Sequence, residues 1–117
     1  MKKKIKKLSP TEIKTLKERY NTLKFNNPCE LVYESQIPNT GIIVLDGNLG
    51  LLKKKKIQMT LEPGSMVGVR NIVQNDPSCV GCKVLDNAEL IMLNKSEILN
   101  ALNEKDPELY AIIKESF

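Results

Sequence analysis

Cys79-Val80-Gly81-Cys82 is the spacing that redox pairs and zinc knuckles use, so it is weighed first. A redox pair needs its first thiol at a helix N-terminus, where the dipole lowers the pKa. The residues around this pair read as strand instead, and positions three apart on a strand point to opposite faces. Zinc takes four ligands, and the chain offers one further cysteine, Cys29, and no histidine at all. Buried, unreactive thiols are the expected outcome. The missing histidine also removes the usual general base near neutral pH. Neither a Ser–base nor a Cys–base arrangement nor a forced pair of carboxylates is evident, so the expectation is no enzyme, no metal and no catalytic residue. What remains is a Gly-bearing loop, Leu61-Glu62-Pro63-Gly64-Ser65-Met66-Val67-Gly68, entering a polar stretch closed by Asp76-Pro77. Converging backbone N–H groups in such a loop make an anion pocket.

The elements that must position this loop follow from periodicity. Ser9-Pro10-Thr11-Glu12 carries an N-cap, a proline for the first helical position and a capping-box glutamate. Ile13, Leu16, Tyr20 and Leu23 then form one stripe, predicting a helix over 9–23. From Phe25 the period drops to two, and a β-roll is predicted over 25–93. Leu31–Tyr33 reads as a short strand. Ile42–Leu45 and Asn48–Leu52 read as a hairpin turning at Asp46-Gly47. Lys53-Lys54-Lys55-Lys56 suits the next hairpin tip, where four charges stay wet, with phosphate binding as the lesser alternative. Ile57, Met59 and Leu61 alternate with polar residues, as a strand with one buried face would. Cys79–Val84 and Glu89–Leu93 read as two more strands, and the overall pattern as about seven or eight short strands with close turns. Asn94 and Glu97 form a second capping box, Ile98, Leu99 and Leu102 the face behind it, and Asp106-Pro107 restarts a last helix with Leu109, Ile112, Ile113 and Phe117. The predicted class is mainly β with flanking helices: a jelly-roll, cupin-like barrel with one N-terminal helix and C-terminal helices over 95–117.

Length and charge agree with one domain. A chain of 117 residues buries about two thirds of its unfolded surface and needs no staples. The net charge of +4 is more than accounted for by Lys2, Lys3, Lys4, Lys6 and Lys7, so a mobile basic arm over 1–8 precedes a nearly neutral domain over 9–117. No aromatic residues interleave those lysines, which disfavours nucleic acid, and membrane contact is disfavoured too. No apolar stretch follows the lysines as in a signal peptide, and no run of about 18 apolar residues would span a bilayer, so a reducing cytoplasm is expected.

From about Pro28 to Ser116 the chain resembles the cyclic nucleotide-binding domain family, the module of catabolite-activator-type regulators, kinase regulatory subunits and gated channels. Gly41-Ile42-Ile43-Val44-Leu45-Asp46-Gly47-Asn48-Leu49 looks like the family's early hairpin, and Leu61–Gly68 like the entry to its phosphate-binding cassette. Glu89–Ile98 is similar to the following strand and helix start, and Asp106-Pro107-Glu108-Leu109 to the turn before the C-terminal helix. The resemblance implies a cassette pocket at Gly68, Val69, Arg70, Asn71, Ser78, Cys79 and Val80. There the chain departs from the pattern. Where the family's glutamate takes the ribose hydroxyl stands Val69, and where its arginine pairs with the cyclic phosphate stands Ser78-Cys79-Val80. Losing a bidentate Arg–phosphate contact costs about 2–5 kcal/mol, enough to take a micromolar site to roughly millimolar. The expectation is a vestigial pocket partly filled by Val69 and Val80, no cofactor, and a stand-alone regulatory or scaffold module acting on a protein partner, with a homodimer allowed. The alternative is a sensor of a cyclic nucleotide or another anion, held by the Gly68–Asn71 amides and Arg70.

Overall fold

The structure, a computed structural model, describes residues 8–114. The lysines of the expected arm and Phe117 lie outside the described residues. Leu8 does not belong to a mobile arm: it is buried, and its N–H donates to Gly64 O at 2.8 Å.

The chain runs α1 (Pro10–Arg19), β1 (Leu23–Phe25), β2 (Cys29–Val32), β3 (Thr40–Lys53), β4 (Lys56–Leu61), β5 (Met66–Val67), α2 (Val69–Gln74), β6 (Gly81–Asn94), α3 (Lys95–Leu102) and α4 (Pro107–Ile113). Mainly antiparallel sheet with flanking helices is what the patterning predicts, and both capping boxes form. Glu12 N donates to Ser9 Oγ and Ser9 N to Glu12 Oε1; Asn94 and Glu97 repeat the exchange at α3. The first helix is shorter than the expected 9–23, however. Its cap is Tyr20 in extended conformation, and Leu23, 40% exposed, has passed into β1 opposite Leu90.

Two 14-residue strands organise the rest. β3 and β6 pair from Thr40↔Asn94 to Leu52↔Gly81, with β1 and β2 on the far side of β6 and β4 and β5 on that of β3. Their apolar runs are buried on both faces. Ile43, Ile91 and Leu93 belong to a core beneath the helices with Leu16, Val69, Ile98, Leu109 and Ile113. Ile42, Val44, Leu49, Val84 and Leu90 fill the interior of the roll with Val32, Leu61, Val67 and Cys82. Alternation thus sends neighbouring residues into different compartments, which is why these strands read as continuous apolar stretches.

The described residues hold six strands where about seven or eight short ones are expected: two expected breaks are bulges inside β3 and β6, while β1 and β5 are strands the patterning did not single out. Asp46-Gly47 is no hairpin turn: Asp46 faces Glu89, Gly47 faces Ala88, and the strand continues. Gly47 has φ +97°, and a Cβ there would lie 2.5 Å from Ala88 Cα and Asn87 O. The glycine serves a close backbone approach, not chain reversal. Opposite, Leu85, Asp86 and Asn87 bulge out between Val84 and Ala88, and Asn48 Nδ2 ties the bulge by donating to Asp86 Oδ1 at 3.0 Å. The true reversal is at Lys54-Lys55, as the lysine run suggested, with both residues left-handed (φ 53° and 64°).

β4 does not have the buried face its alternation implied. It ends the sheet, and a bulge between Leu52↔Ile57 and Leu51↔Met59 puts Ile57 out of phase with Leu61. Ile57 packs outside, near Gly50 and Leu85, and is 53% exposed; Met59, at the rim, is 48% exposed. Only Leu61 enters the core.

Candidate functional site

The stretch expected to be polar loop after Gly68 is a short helix. Gly68 supplies the left-handed cap of α2 (φ 90°), where a Cβ would press to 2.9 Å from Thr40 O, and Ile72 N donates back to Gly68 O. Val69 and Ile72 are the buried side of this helix, Arg70 is exposed, and Asn71 is half-buried. Val73 packs partly against the same core, so the helical period is present over only two turns.

Val69 does not fill the roll, as expected from the sequence, but seats in the helical core. A methyl placed on Gly41 would stand 2.7 Å from Val69 Cγ2 and 3.0 Å from Ile98 Cδ1, so the valine lies down on that glycine beside α3. Bare backbone at Gly41 makes room for it. A carboxylate here would enter an apolar cluster.

Ser78 is 2% exposed, and its hydroxyl is consumed internally. Ser78 Oγ donates to Val80 O at 2.6 Å and accepts from Val80 N at 3.3 Å. The same residue pairs through its backbone with the turn after β2: Ser35 N donates to Ser78 O at 2.7 Å and Ser78 N to Gln36 O at 2.9 Å. Asn71 Nδ2 reaches Pro77 O at 3.3 Å, and Asp76 N donates to Asn71 O, so α2 and the Ser78–Val80 stretch are stitched together. The fold therefore gathers the expected pocket residues, but as a closed seam. Arg70 is exposed, and Val80 is half-buried.

The cysteines split. Cys82 is fully buried in the roll, and burial pushes its thiol up to about 12. Cys79 precedes β6 and is exposed, against the expectation of a buried thiol, because the strand starts only at Gly81. None of the three cysteines is bridged to another. Among the described residues no group of three or more His, Cys, Asp and Glu is placed to hold a metal ion, and no helix is long and apolar enough to cross a membrane.

An open concavity lies elsewhere. A groove of about 540 Å³ is lined by Glu30, Val32, Tyr33, Glu34, Gln36, Leu52, Lys54, Lys55, Gly81 and Lys83, with none of Gly68–Asn71 or Ser78–Val80 among them. Cys82 and Val84 point into the roll, so Gly81 and Lys83, alternating with them, face outwards into the groove. One wall is the lysine turn, whose amides are held by a carboxylate: Lys54 N donates to Glu34 Oε2 at 2.8 Å and Lys55 N to Glu34 Oε1 at 3.0 Å. These donors hold Glu34 below the usual carboxylate range. Sequence reasoning passed over Glu34. The available signal was a two-residue turn of lysines, with neither Gly nor Asn to favour left-handed backbone.

No protein-family model matches the sequence, and no curated protein matches it. Solved structures do share its fold. One described under a cyclic-GMP-dependent signalling pathway that regulates bacterial phytopathogenesis superposes with a TM-score of 0.73 at 14% identity, covering 93% of this chain and 90% of that one. The catabolite activator protein of Thermus thermophilus gives 0.63 at 14% identity, over 93% of this chain and 55% of that one. The regulatory subunit of a cAMP-independent protein kinase A from Trypanosoma cruzi, bound to guanosine, gives 0.62 at 17% identity, over 86% and 38%. The chain spans about two-fifths of the length of two of the kinase A regulatory-subunit structures it matches, 41% and 38%. The fold is that of a cyclic nucleotide-binding domain, a jelly roll with flanking helices.

Proposed function

We propose that this chain is a regulatory or scaffold module that has kept the cyclic nucleotide-binding fold and works by protein contact, binding cyclic nucleotides weakly or not at all. One observation carries the reading: the two positions where the resemblance puts an acid for the ribose and a base for the phosphate are closed from inside. Val69 is spent on the helical core against Gly41, and the Ser78 hydroxyl is spent on Val80. A ligand entering at Ser78 would have to compete with the hydrogen bonds of that seam. A neighbour of the same fold, bound to guanosine, is the regulatory subunit of a cAMP-independent kinase, so the fold also occurs where cAMP is not the signal. Calorimetric titration with cAMP, cGMP and cyclic dinucleotides tests the reading. We expect no heat of binding at micromolar ligand; micromolar affinity for any of them overturns it.

A second reading keeps a sensor. The α2 amides have no side-chain cap, Arg70 stands exposed beside them, and a neighbour is titled as part of a cyclic-GMP-dependent pathway. It requires that Arg70→Ala weaken a measured ligand affinity, and an unchanged affinity removes it.

A further inference from the structure

If the cassette is closed, contact must be made at another surface, and the outer groove carries the features of one. Its floor lies at Gly81, where a Cβ would stand tight against Val32 O at 3.2 Å and in contact with Leu52 Cβ at 3.5 Å. Leu52 lines it, and Tyr33, 50% exposed, stands at its wall as an amphipathic anchor of the kind enriched in protein interfaces. Lys54 and Lys55 form the opposite wall, with Lys53 and Lys56 flanking them at the tip. The carboxylate that reaches this tip, Glu34, is committed to the two turn amides, and it leaves four ammonium groups against one negative charge. At the far end Glu30 stands opposite Lys83 in the β2–β6 register, one charge of each sign.

We propose that this groove is a docking surface for an acidic, extended segment of a partner protein, with carboxylates on the lysine tip and an apolar side chain on Leu52 and Tyr33. The proposal rests on the reading of the chain as a protein-contact module and says where that contact falls. Charge complementarity selects the partner. A nucleic-acid strand carries a negative charge at every residue and would run Glu30 and Glu34 against phosphates, whereas a peptide can place its acids at one end and its apolar residue at the other. The turn amides are taken by Glu34, so the partner's carboxylates would meet the lysine ammonium groups.

The test is an NMR titration of the 15N-labelled chain with a synthetic peptide that alternates Glu and Leu, run beside a Lys-for-Glu version, an oligothymidine and cAMP. We expect shifts confined to Val32–Gln36, Leu52–Lys55 and Gly81–Lys83 with the acidic peptide alone. Lys54→Glu with Lys55→Glu should weaken it at least roughly tenfold, and Tyr33→Ala should weaken it by a similar factor. Both changes sit on the exposed surface, and an unchanged amide spectrum away from the groove shows that the fold survives them. Peptide shifts on the β4 rim or near Arg70, or tighter binding of oligothymidine, overturn the groove and leave the protein-contact reading standing. Shifts by cAMP at Gly68–Asn71 overturn that reading as well. Binding unaffected by Tyr33→Ala would reduce the groove to unspecific charge attraction and overturn the proposal.

Discussion

Arg19, in the last turn of α1, closes on Asp106, the cap of α4. Nη1 donates to Asp106 Oδ1 at 3.0 Å, Nη2 binds the other carboxylate oxygen, and Glu108 accepts from Nη1 at 3.0 Å. The guanidinium also lies 5.4 Å from the centroid of the Tyr20 ring. One carboxylate thus serves two ends, since Asp106 Oδ1 also accepts from Leu109 N at 3.2 Å. The hydrogen bond from Arg19 is the main reason Asp106 sits below the usual carboxylate range.

Removing that carboxylate should cost a helix cap and a partly wet ion pair together. Asp106→Ala is expected to lower stability by about 1 kcal/mol for the cap, and by up to about 1 more for the pair. Because the folded pKa of Asp106 is depressed, its contribution is complete above the ordinary aspartate range, near about 4, and is lost as pH falls through the lower folded value. Denaturant melts of the two proteins at several pH values should therefore differ near neutrality and converge in acid. A gap that persists in acid would count against the pair.

Alkylation should separate the thiols. Cys79 is expected to react in the native protein and Cys82 only on unfolding, because the Cys82 thiol is buried and its pKa is about 12. Its raised value also sets a pH limit. Cys82 adds stability that is intact below the unfolded thiol value of about 8.5 and declines as pH rises toward 12. Mass-spectrometric mapping of labelled peptides reads the first expectation, and melts of Cys82→Ala against the parent through alkaline pH read the second.

Restoring the family's acid should fail. Val69→Glu is expected to destabilise the chain by about 2 kcal/mol or more, because the carboxylate enters an apolar core, and to confer no cyclic nucleotide binding. Thermal melts and calorimetry decide it; a stable variant that binds would show that the pocket needed only its acid.

Gly47→Ala is expected to destabilise by about 2 kcal/mol or more, through positive φ and a backbone clash. If Asp46-Gly47 were a hairpin tip, alanine would meet the positive-φ strain alone, about 1 kcal/mol, without the backbone clash.

At the lysine turn, Glu34→Ala should speed hydrogen exchange at the Lys54 and Lys55 amides while exchange in β6 stays unchanged. Unaltered rates at the turn would mean that Glu34 does not hold it.

Capping boxes, the apolar runs of β3 and β6 and the order of family-like stretches made the fold class legible, since each is local or repeats with a period. What escaped is non-local. Asp46-Gly47 is a hairpin signal until Ala88 arrives across the sheet; Ile57 looks buried until a bulge flips it; Val69 looks like a pocket plug until Gly41 receives it. The short α2 was masked by polar residues on its exposed side, and Glu34 by its distance of twenty residues from the turn it holds.

Ile42 and Ile43 are consecutive, yet one lines the roll and the other the floor of the helical layer. Each long backbone is thus a wall shared by both compartments, whereas the outermost strand, β4, is paired along one flank alone among the described residues.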